Sequence, residues 1–466
     1  MLKNYLTIAV RNLRKNKAHS FINIAGLSVG MAVAILIGLW IYDEVSFDKY
    51  HSNFDQIAEV MQKVTVNGRV HTGATIPLPL DAEMRKSYGK DFKHIVMTAW
   101  TDPHILTVGD KKITYTGNFV GSEGPEMLSL HMLKGTRGGL TGTTSMLISS
   151  SVAKALFGDE DPMDKVISLD NKATFKVSGV YEDLPANTTF HDMAFMAPWD
   201  FFASMANWVD RSPTDWNDAS LMMYVQVGDH ADIDRLSAKI KNVILDHAAP
   251  GQAKLKPQVF LQPMRRWHLY SEFKDGVNTG GAIQYVWLFG LIGGFVLLLA
   301  CINFMNLSTA RSEKRAKEVG IRKAVGSLRG QLIGQFYSES IFMAVLAFAF
   351  SLLLVWVSLP FFNEVAGKDI RLPWSNGLFW LVTGAFVLFT GVIAGSYPAL
   401  YLSSFQPVKV LKGRFKAGRS AALPRQVLVV LQFTVSVVLI IGTVIVFRQI
   451  QFARDRPVGY TRDGLV

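Results

Sequence analysis

Residues 21–42 read FINIAGLSVGMAVAILIGLWIY, a run of apolar and small residues without a single charge. At about 1.5 Å of rise per helical residue, such a run can cross the hydrocarbon core of a bilayer, which is about 30 Å thick. A cleaved secretory signal has a shorter apolar region that ends at a small-residue cleavage site. The run therefore predicts a membrane helix that remains in the mature chain.

Four further runs have the same character and are separated by charged or turn-rich sequence. They are residues 283–305, 332–359, 378–401 and 427–447. The chain is also more apolar than ordinary soluble proteins, with 49% hydrophobic and 18% charged residues and a mean hydropathy of +0.22. Its single cysteine, Cys301, lies inside the second run, which excludes an intramolecular disulfide framework and a CxxC metal site. The sequence therefore predicts about five membrane spans.

The basic residues lie beside these spans and indicate their orientation. Residues 1–20 hold five Lys/Arg and no acid, residues 305–331 hold seven and two acids, and residues 402–426 hold six and no acid. Short loops rich in Lys and Arg stay in the cytoplasm, so these three segments and the N-terminus are predicted to be cytoplasmic. This placement also contradicts a nucleic-acid binder as the explanation of the formal charge of +11.

Residues 43–282, between the first two spans, have mixed charge, Gly/Pro punctuation and alternating segments such as TFKVSGV at 174–180. They predict a folded α+β domain on the periplasmic side, large enough for its own core. The loop at 360–377 is expected to be short and on the same side. The predicted fold class is an α-helical transmembrane bundle of about five spans, with the α+β domain inserted between spans one and two.

The two ends of the chain carry further expectations. Residues 1–20 predict a basic amphipathic helix at the membrane surface, or alternatively a plain cluster of topogenic charge. The basic linker 402–426 followed by the fifth span repeats the pattern of the N-terminus, and residues 448–466 are expected to start a second periplasmic region. On this interpretation the chain is the front part of a longer polypeptide; the alternative is a natural five-span protein.

The cytoplasmic segment 306–331 joins spans two and three and fits two interpretations: a charged helix on the membrane surface, or a short helix that docks into a groove of a soluble partner. Val319, Ile321, Ala324 and Val325 would then be apolar contact points, and Gly320 and Gly326 would allow close approach or a turn. The remaining candidates are polar: Arg315, Lys317, Glu318, Arg322 and Lys323.

Several motifs resemble one family in order along nearly the whole chain. EVGIRKAVG at 318–326 resembles the segment after the second span of FtsX/MacB-like ABC transporter permeases. AGSYPA at 394–399, with Leu402-Ser403, Pro407 and VLKG at 410–413, is similar to the end of their fourth span. ISSSVAKALFG at 148–158 and VSGVYEDLP at 177–185 resemble the MacB-like periplasmic domain, and NLRKNK at 12–17 with NIAGL at 23–27 resembles the eight-span, Bacteroidetes-type version.

The resemblance implies a permease subunit in the bacterial inner membrane that couples ATP hydrolysis by a separate cytoplasmic ABC ATPase to motion of the periplasmic domain, for export, efflux or extraction. It implies an inserted distal part of that domain near 125–230. A homodimer, a second permease half and a periplasmic partner all stay open. The residues implied to contact the ATPase are Arg315, Lys317, Glu318, Val319, Gly320, Ile321, Arg322, Lys323, Ala324 and Gly326.

The sequence holds no motif that would make the chain itself an enzyme. GxxxxGK[ST], HExxH and an EF-hand loop are all missing from it. We therefore expect a non-catalytic subunit without a cofactor or metal. The second class of function that fits is a membrane-anchored sensor or regulator of a cell-envelope process, without transport. No residue of the sequence selects a substrate.

Two patterns within the spans add structural expectations. Gln331, Gln335 and Glu339 form one polar stripe, and Glu339 is a candidate link between span three and the coupling segment, although a residue near the wet helix end explains it as well. Gly26 with Gly30, and Gly290 with Gly294, have the GxxxG spacing that allows two membrane helices to approach closely.

Overall fold

The computed structural model describes residues 7, 10, 11, 13, 15, 17–206, 214–310, 312–404 and 419–456. Within these, the side chains of 310, 312–315 and 419–425 are outside the description. The chain divides into a membrane unit, residues 1–41 and 288–466, and a periplasmic unit, Tyr42–Trp287. Most of the expected helix at 1–20, the core of the expected linker at 402–426 and residues 457–466 lie outside the described residues.

In chain order the helices are α1 (Lys17–Val45), α2 (Pro79–Tyr88), α3 (Gly124–Met127), α4 (Ser150–Phe157), α5 (Trp199–Met205), α6 (Ile233–Ile240), α7 (Val243–His247), α8 (Pro250–Ala253), α9 (Ile283–Ala310), α10 (Ser312–Ala324), α11 (Arg329–Ala366), α12 (Gly377–Ser403) and α13 (Arg419–Asp455). The strands are β1 (Ile57–Val66), β2 (Arg69–Gly73), β3 (Ile76–Pro77), β4 (Phe92–Thr98), β5 (Asp102–Val108), β6 (Lys111–Val120), β7 (Met132–Gly135), β8 (Ser145–Ser149), β9 (Val166–Leu169), β10 (Ala173–Tyr181), β11 (Phe195–Pro198), β12 (Ala219–Val227), β13 (Gln258–Pro263), β14 (Glu272–Lys274) and β15 (Val277–Gly280).

The predicted fold class is confirmed. Among the described residues, five helices are long and apolar enough to cross a membrane: α1, α9, α11, α12 and α13. The α/β domain lies between the first two of them in the chain, where the mixed-charge segment predicted it.

Helices α1 and α9 pack as an antiparallel pair through glycine. A Cβ atom added to Gly30 would lie 2.4 Å from the Cβ of Ala300, and one added to Gly26 would lie 3.3 Å from the Nδ2 of Asn303. The first GxxxG pair therefore faces a helix. In the second pair Gly290 faces α1, but nothing lies within 4 Å of a Cβ at Gly294, and Gly293 contacts α1 in its place.

Helix α11 is longer than its apolar run. The expected span ended at residue 359, yet the helix continues through Pro360 and ends only at Ala366. Proline removes one backbone donor and does not by itself stop a helix that other contacts hold. The actual stop is Gly367, whose φ of 63° is the left-handed C-cap conformation that glycine adopts without strain.

The periplasmic unit is built on one large mixed sheet with the strand order β11-β8-β10-β9-β5-β6-β4-β12-β1-β13. One set of strands (β1–β4, β12 and β13) packs around a core with α2, α6 and α7, and a second set (β5–β11) packs around another core with α4. The two sets meet at a single paired position, Thr98 with Val120.

This division differs from the insertion expected near 125–230. The second core already includes Ala99, Leu106 and Phe119. Strand β12 lies inside the expected insertion, but it pairs with β1 and β4 at the centre of the first set. The inserted part thus corresponds to residues between Thr98 and Ala219, a boundary that depends on long-range strand pairing.

Candidate coupling surface

Helix α10 and the turn after it form the connection between the second and third spans that the sequence singled out. Its inner face is buried: Ala316 is 1% exposed and Val319 is 3% exposed. They pack with residues of α11 and α12, namely Leu332, Phe336, Ala399 and Leu402. The apolar inner face therefore holds α10 against two membrane helices.

Two basic side chains add polar ties on the flank of α10. The guanidinium of Arg322 donates to the Oε1 of Gln335 on α11, and its Nη2 donates to the Oε1 of Glu318 at 2.6 Å. The Nζ of Lys323 donates to the carbonyl oxygen of Ser403 at 2.7 Å, at the C-terminal end of α12. A cation is favoured there, because the last carbonyls of a helix lack intrahelical donors and carry partial negative charge.

Helix α10 and the turn after it present five exposed residues, which we call the coupling face: Lys317, Ile321, Ala324, Val325 and Leu328. Ile321 is 54%, Val325 84% and Leu328 68% exposed. Gly326 follows with a φ of 105°, a value that favours glycine, and the turn it permits leads directly into α11. Three large apolar side chains therefore stand outward on a support fixed from behind.

The structure separates the candidate residues into exposed and buried positions. Lys317, Glu318, Ile321, Ala324 and Gly326 are exposed. The expectation that Val319 is an outward contact point is wrong, because it is buried; Gly320 is buried as well. Arg322 and Lys323 are partly buried and bonded within the chain. The side chain of Arg315 lies outside the described residues.

Sequence reasoning did not include Leu328 among the candidates. It follows Gly326, and a residue after a helix-ending glycine is not predicted to lie on the face of that helix. Leu328 is nevertheless 68% exposed, like the apolar residues just before the turn. No helical spacing indicates it, because α10 ends at Ala324 and Gly326 breaks the helical geometry before Leu328.

Glu339 lies about three turns into α11 and is only 3% exposed. Its carboxylate therefore lies inside the bundle and not on the lipid-facing surface, where a charge is costly. Gln335, one turn earlier, is also buried and accepts from Arg322. The polar stripe thus continues from the coupling segment into the membrane unit.

Comparison with known families matches both halves of this architecture. Residues 20–243 match the MacB-like periplasmic core domain, and residues 290–407 match the FtsX-like permease C-terminal domain. The chain belongs to the FtsX/MacB-like ABC transporter permeases. The segment that carries the coupling face lies within the FtsX-like match.

Individual relatives of this permease are distant. It is 25% identical over 276 residues to the uncharacterized ABC transporter permease YknZ of Bacillus subtilis, covering 59% of this chain and 62% of that one. It is 27% identical over 281 residues to the macrolide export ATP-binding/permease protein MacB of Bdellovibrio bacteriovorus, covering 58% and 39%. The chain therefore spans less than two thirds of the length of these curated relatives.

Two solved structures similar to the permease are of a single domain or region. A domain of a putative permease protein from Porphyromonas gingivalis matches with 15% identity and a TM-score of 0.39, covering 51% of this chain and 98% of that one. The periplasmic region of MacB from Actinobacillus actinomycetemcomitans matches with 15% identity and a TM-score of 0.32, covering 44% and 88%. Among the described residues of the permease, no group of three or more His, Cys, Asp or Glu side chains could hold a metal ion.

Proposed function

We propose that this permease couples ATP hydrolysis by a separate cytoplasmic ABC ATPase to motion of its periplasmic domain, and that this mechanotransmission serves export or extraction. The sequence has no phosphate-binding GxxxxGK[ST] loop, so ATP hydrolysis falls to the partner. The charge distribution supports an inner-membrane orientation with the N-terminus in the cytoplasm. Among the relatives, the name of MacB describes an ATP-binding and export protein.

The coupling face is the observation that carries this proposal. Exposed large apolar side chains in a row next to charged residues are typical of a protein interface. Their support is rigid, because Val319 is buried behind them and Lys323 ties α10 to the end of α12. A displacement of Ile321, Val325 or Leu328 by a bound partner would therefore be transmitted to α11 and α12.

Co-purification with a cytoplasmic ABC ATPase of the same organism tests the proposal. In an Ile321→Ser, Val325→Ser, Leu328→Ser variant, we expect the ATPase to be lost while the permease still inserts and elutes as a folded protein. Each of the three substitutions should cost about 1 kcal/mol or more of binding free energy if its side chain is buried in the interface. Together they would lower the affinity for the ATPase by roughly a hundredfold.

The matched control is Val277→Ser, which removes an apolar side chain that is 66% exposed in the periplasmic unit and should leave ATPase binding unchanged. A second variant, Lys323→Met, removes the tie to Ser403 but leaves the coupling face intact; it should bind the ATPase and show weaker stimulation of hydrolysis. Full ATPase binding by the triple serine variant would reject the coupling face and favour a regulator without transport.

A further inference from the structure

The segment that follows α1 is fastened to two distant parts of the periplasmic unit. Asp48, three residues after the end of α1, is completely buried. Its Oδ1 accepts from the hydroxyl of Thr188 at 2.8 Å and from the backbone N–H of Thr189 at 2.6 Å, and its Oδ2 accepts from the hydroxyl of Thr189 at 2.8 Å. The backbone N–H of Asp48 donates to the carbonyl of Asn187 at 2.9 Å. One residue thus makes four hydrogen bonds to a single loop.

His51 extends this arrangement to another part of the chain. Its ring is 1% exposed, and burial lowers its pKa. The Nδ1 lies 2.7 Å from the carbonyl oxygen of Leu128, which can only accept, so Nδ1 carries the proton. The Nε2 lies 2.9 Å from the hydroxyl of Thr188. Thr188 therefore stands between His51 and Asp48 and contacts both.

Neighbouring bonds fix the same segment. The N–H of Ser52 donates to the Oγ of Ser129 at 2.8 Å, and the Nδ2 of Asn53 donates to the carbonyl of Met127 at 3.0 Å. Before Asp48, Glu44 at the end of α1 lies 2.6 Å from the Nε2 of His268, whose ring stacks on Phe47. The stretch from the last turn of α1 to residue 53 is therefore held by contacts along its whole length.

The backbone at Asp48 is itself unusual. Its φ is 63°, in the left-handed region that residues other than glycine rarely adopt. A strained conformation persists only where the surroundings over-determine it, and the four hydrogen bonds of Asp48 do so. By contrast, the second connection to the membrane unit passes through Gly280 and Gly281, which adopt positive φ without a Cβ penalty.

We propose that Asp48, His51, Thr188 and Thr189 form a latch that makes the periplasmic unit follow α1. With the latch closed, a tilt or rotation of α1 passes directly to the loop at 187–189 and the segment at 127–129. With the latch open, residues 46–53 absorb the movement. The inference rests on the proposed function, since it names the joint through which motion would leave the membrane, but the stiffness of the joint is measurable without ATP.

The test measures the distance between spin labels on α1 and on the latched loop in the full chain, reconstituted in nanodiscs without nucleotide. The labels are placed with Ile22→Cys and Asp192→Cys in a Cys301→Ala background, which removes the only native cysteine. The latch predicts a narrow distance distribution in this parent. Thr188→Val keeps the side-chain volume but breaks both contacts of the hydroxyl, and we expect a distribution about twofold broader because the joint opens locally.

The control variant is Thr107→Val. The hydroxyl of Thr107 is buried in β5 without a hydrogen-bond partner, so the same substitution there removes no bond and should leave the distribution unchanged. If Thr188→Val does not fold, Thr189→Val removes only the bond from the Thr189 hydroxyl to the Oδ2 of Asp48 and should broaden the distribution to an intermediate degree. If the folded Thr188→Val and Thr189→Val variants gave distance distributions as narrow as that of the parent, the latch proposal would be overturned.

Adding the ATPase and a non-hydrolysable nucleotide then separates the two proposals. With a functional latch, the distance between the labels stays constant in the parent, while label pairs between the periplasmic units of associated chains shift. A narrow distribution in the parent and a broad one in Thr188→Val, without any nucleotide-dependent shift, would uphold the latch and reject the proposed coupling to ATP.

Discussion

Glu59 shows how one residue can govern the stability of the periplasmic unit. It lies on β1 opposite Tyr224 of β12, next to a hydrophobic core, and burial raises its pKa to about 7. In the unfolded chain a glutamate has a pKa near 4.3, so between about pH 4.5 and 7 the folded state holds a proton that the unfolded state has released. The free energy of unfolding therefore falls as pH rises through this window. The total decrease is on the order of 3 kcal/mol.

Thermal unfolding of the full chain in detergent between pH 4.5 and 8 checks this. The Glu59→Gln variant cannot ionise, so we expect it to lose this pH dependence and to be more stable than the native chain at pH 8. Glu272→Gln changes an exposed acid on β14 and should retain the native profile. Parallel profiles for Glu59→Gln and the native chain would show that Glu59 does not retain its proton.

Burial at single positions was only partly predictable. Val319 and Ile321 both read as apolar contact points, yet residues two positions apart on a helix point about 200° apart and cannot share a face. The structure places Val319 inward and Ile321 outward. In the latch, Asp48 and Thr188 are far apart in the sequence, and neither belongs to a motif, so no local pattern indicates their contact.

At the level of elements, the apolar runs predicted the membrane helices because length and hydropathy are local properties. Their ends were less predictable. The expected third span ended at residue 359, whereas α11 continues through Pro360 to Ala366 and stops at Gly367. The GxxxG spacing correctly marked Gly26 and Gly30 as positions of close approach, but the choice between Gly293 and Gly294 depends on the face that α9 turns to α1.

The packing of α1 on α9 gives a prediction with an internal control. Alanine at Gly30 would place its Cβ 2.4 Å from the Cβ of Ala300, so the helices must separate; overpacking of this kind costs about 1–3 kcal/mol. Gly38 lies on the same helix with nothing within 4 Å of its added Cβ. We expect Gly30→Ala to lower the melting temperature in detergent and Gly38→Ala to leave it unchanged or raise it, since alanine favours helix. Equal effects of the two substitutions would contradict the close contact.

For the whole molecule, the sequence predicted the order of spans and domain, because composition changes sharply at their boundaries. The sheet topology was not predictable, since β1 lies between β12 and β13, strands more than 150 residues away in the chain. The expected insertion near 125–230 failed to isolate the second core for this reason. Strand pairing at long range depends on the assembled core and leaves no local signature.

The junction of the two strand sets determines how the periplasmic unit unfolds. They share only one paired position in the sheet, which by itself would let each set unfold separately. A third core, however, draws fully buried side chains from both sets, including Ile57 and Val96 from one and Leu147, Tyr181 and Met196 from the other. Neither set can unfold without exposing this shared core to water, so the two should unfold together.

We therefore expect residues 46–280, expressed alone, to fold as a soluble domain and to unfold in one transition. The fragment contains no cysteine, so it should fold equally in reducing and oxidising compartments. Circular dichroism and tryptophan fluorescence in urea should report coincident midpoints. Leu147→Ala, in the shared core, should lower the free energy of unfolding by about 2–5 kcal/mol. Both midpoints should then move together to a lower urea concentration. Separate midpoints in the native fragment would mean that the sheet junction, and not the shared core, sets the cooperative unit.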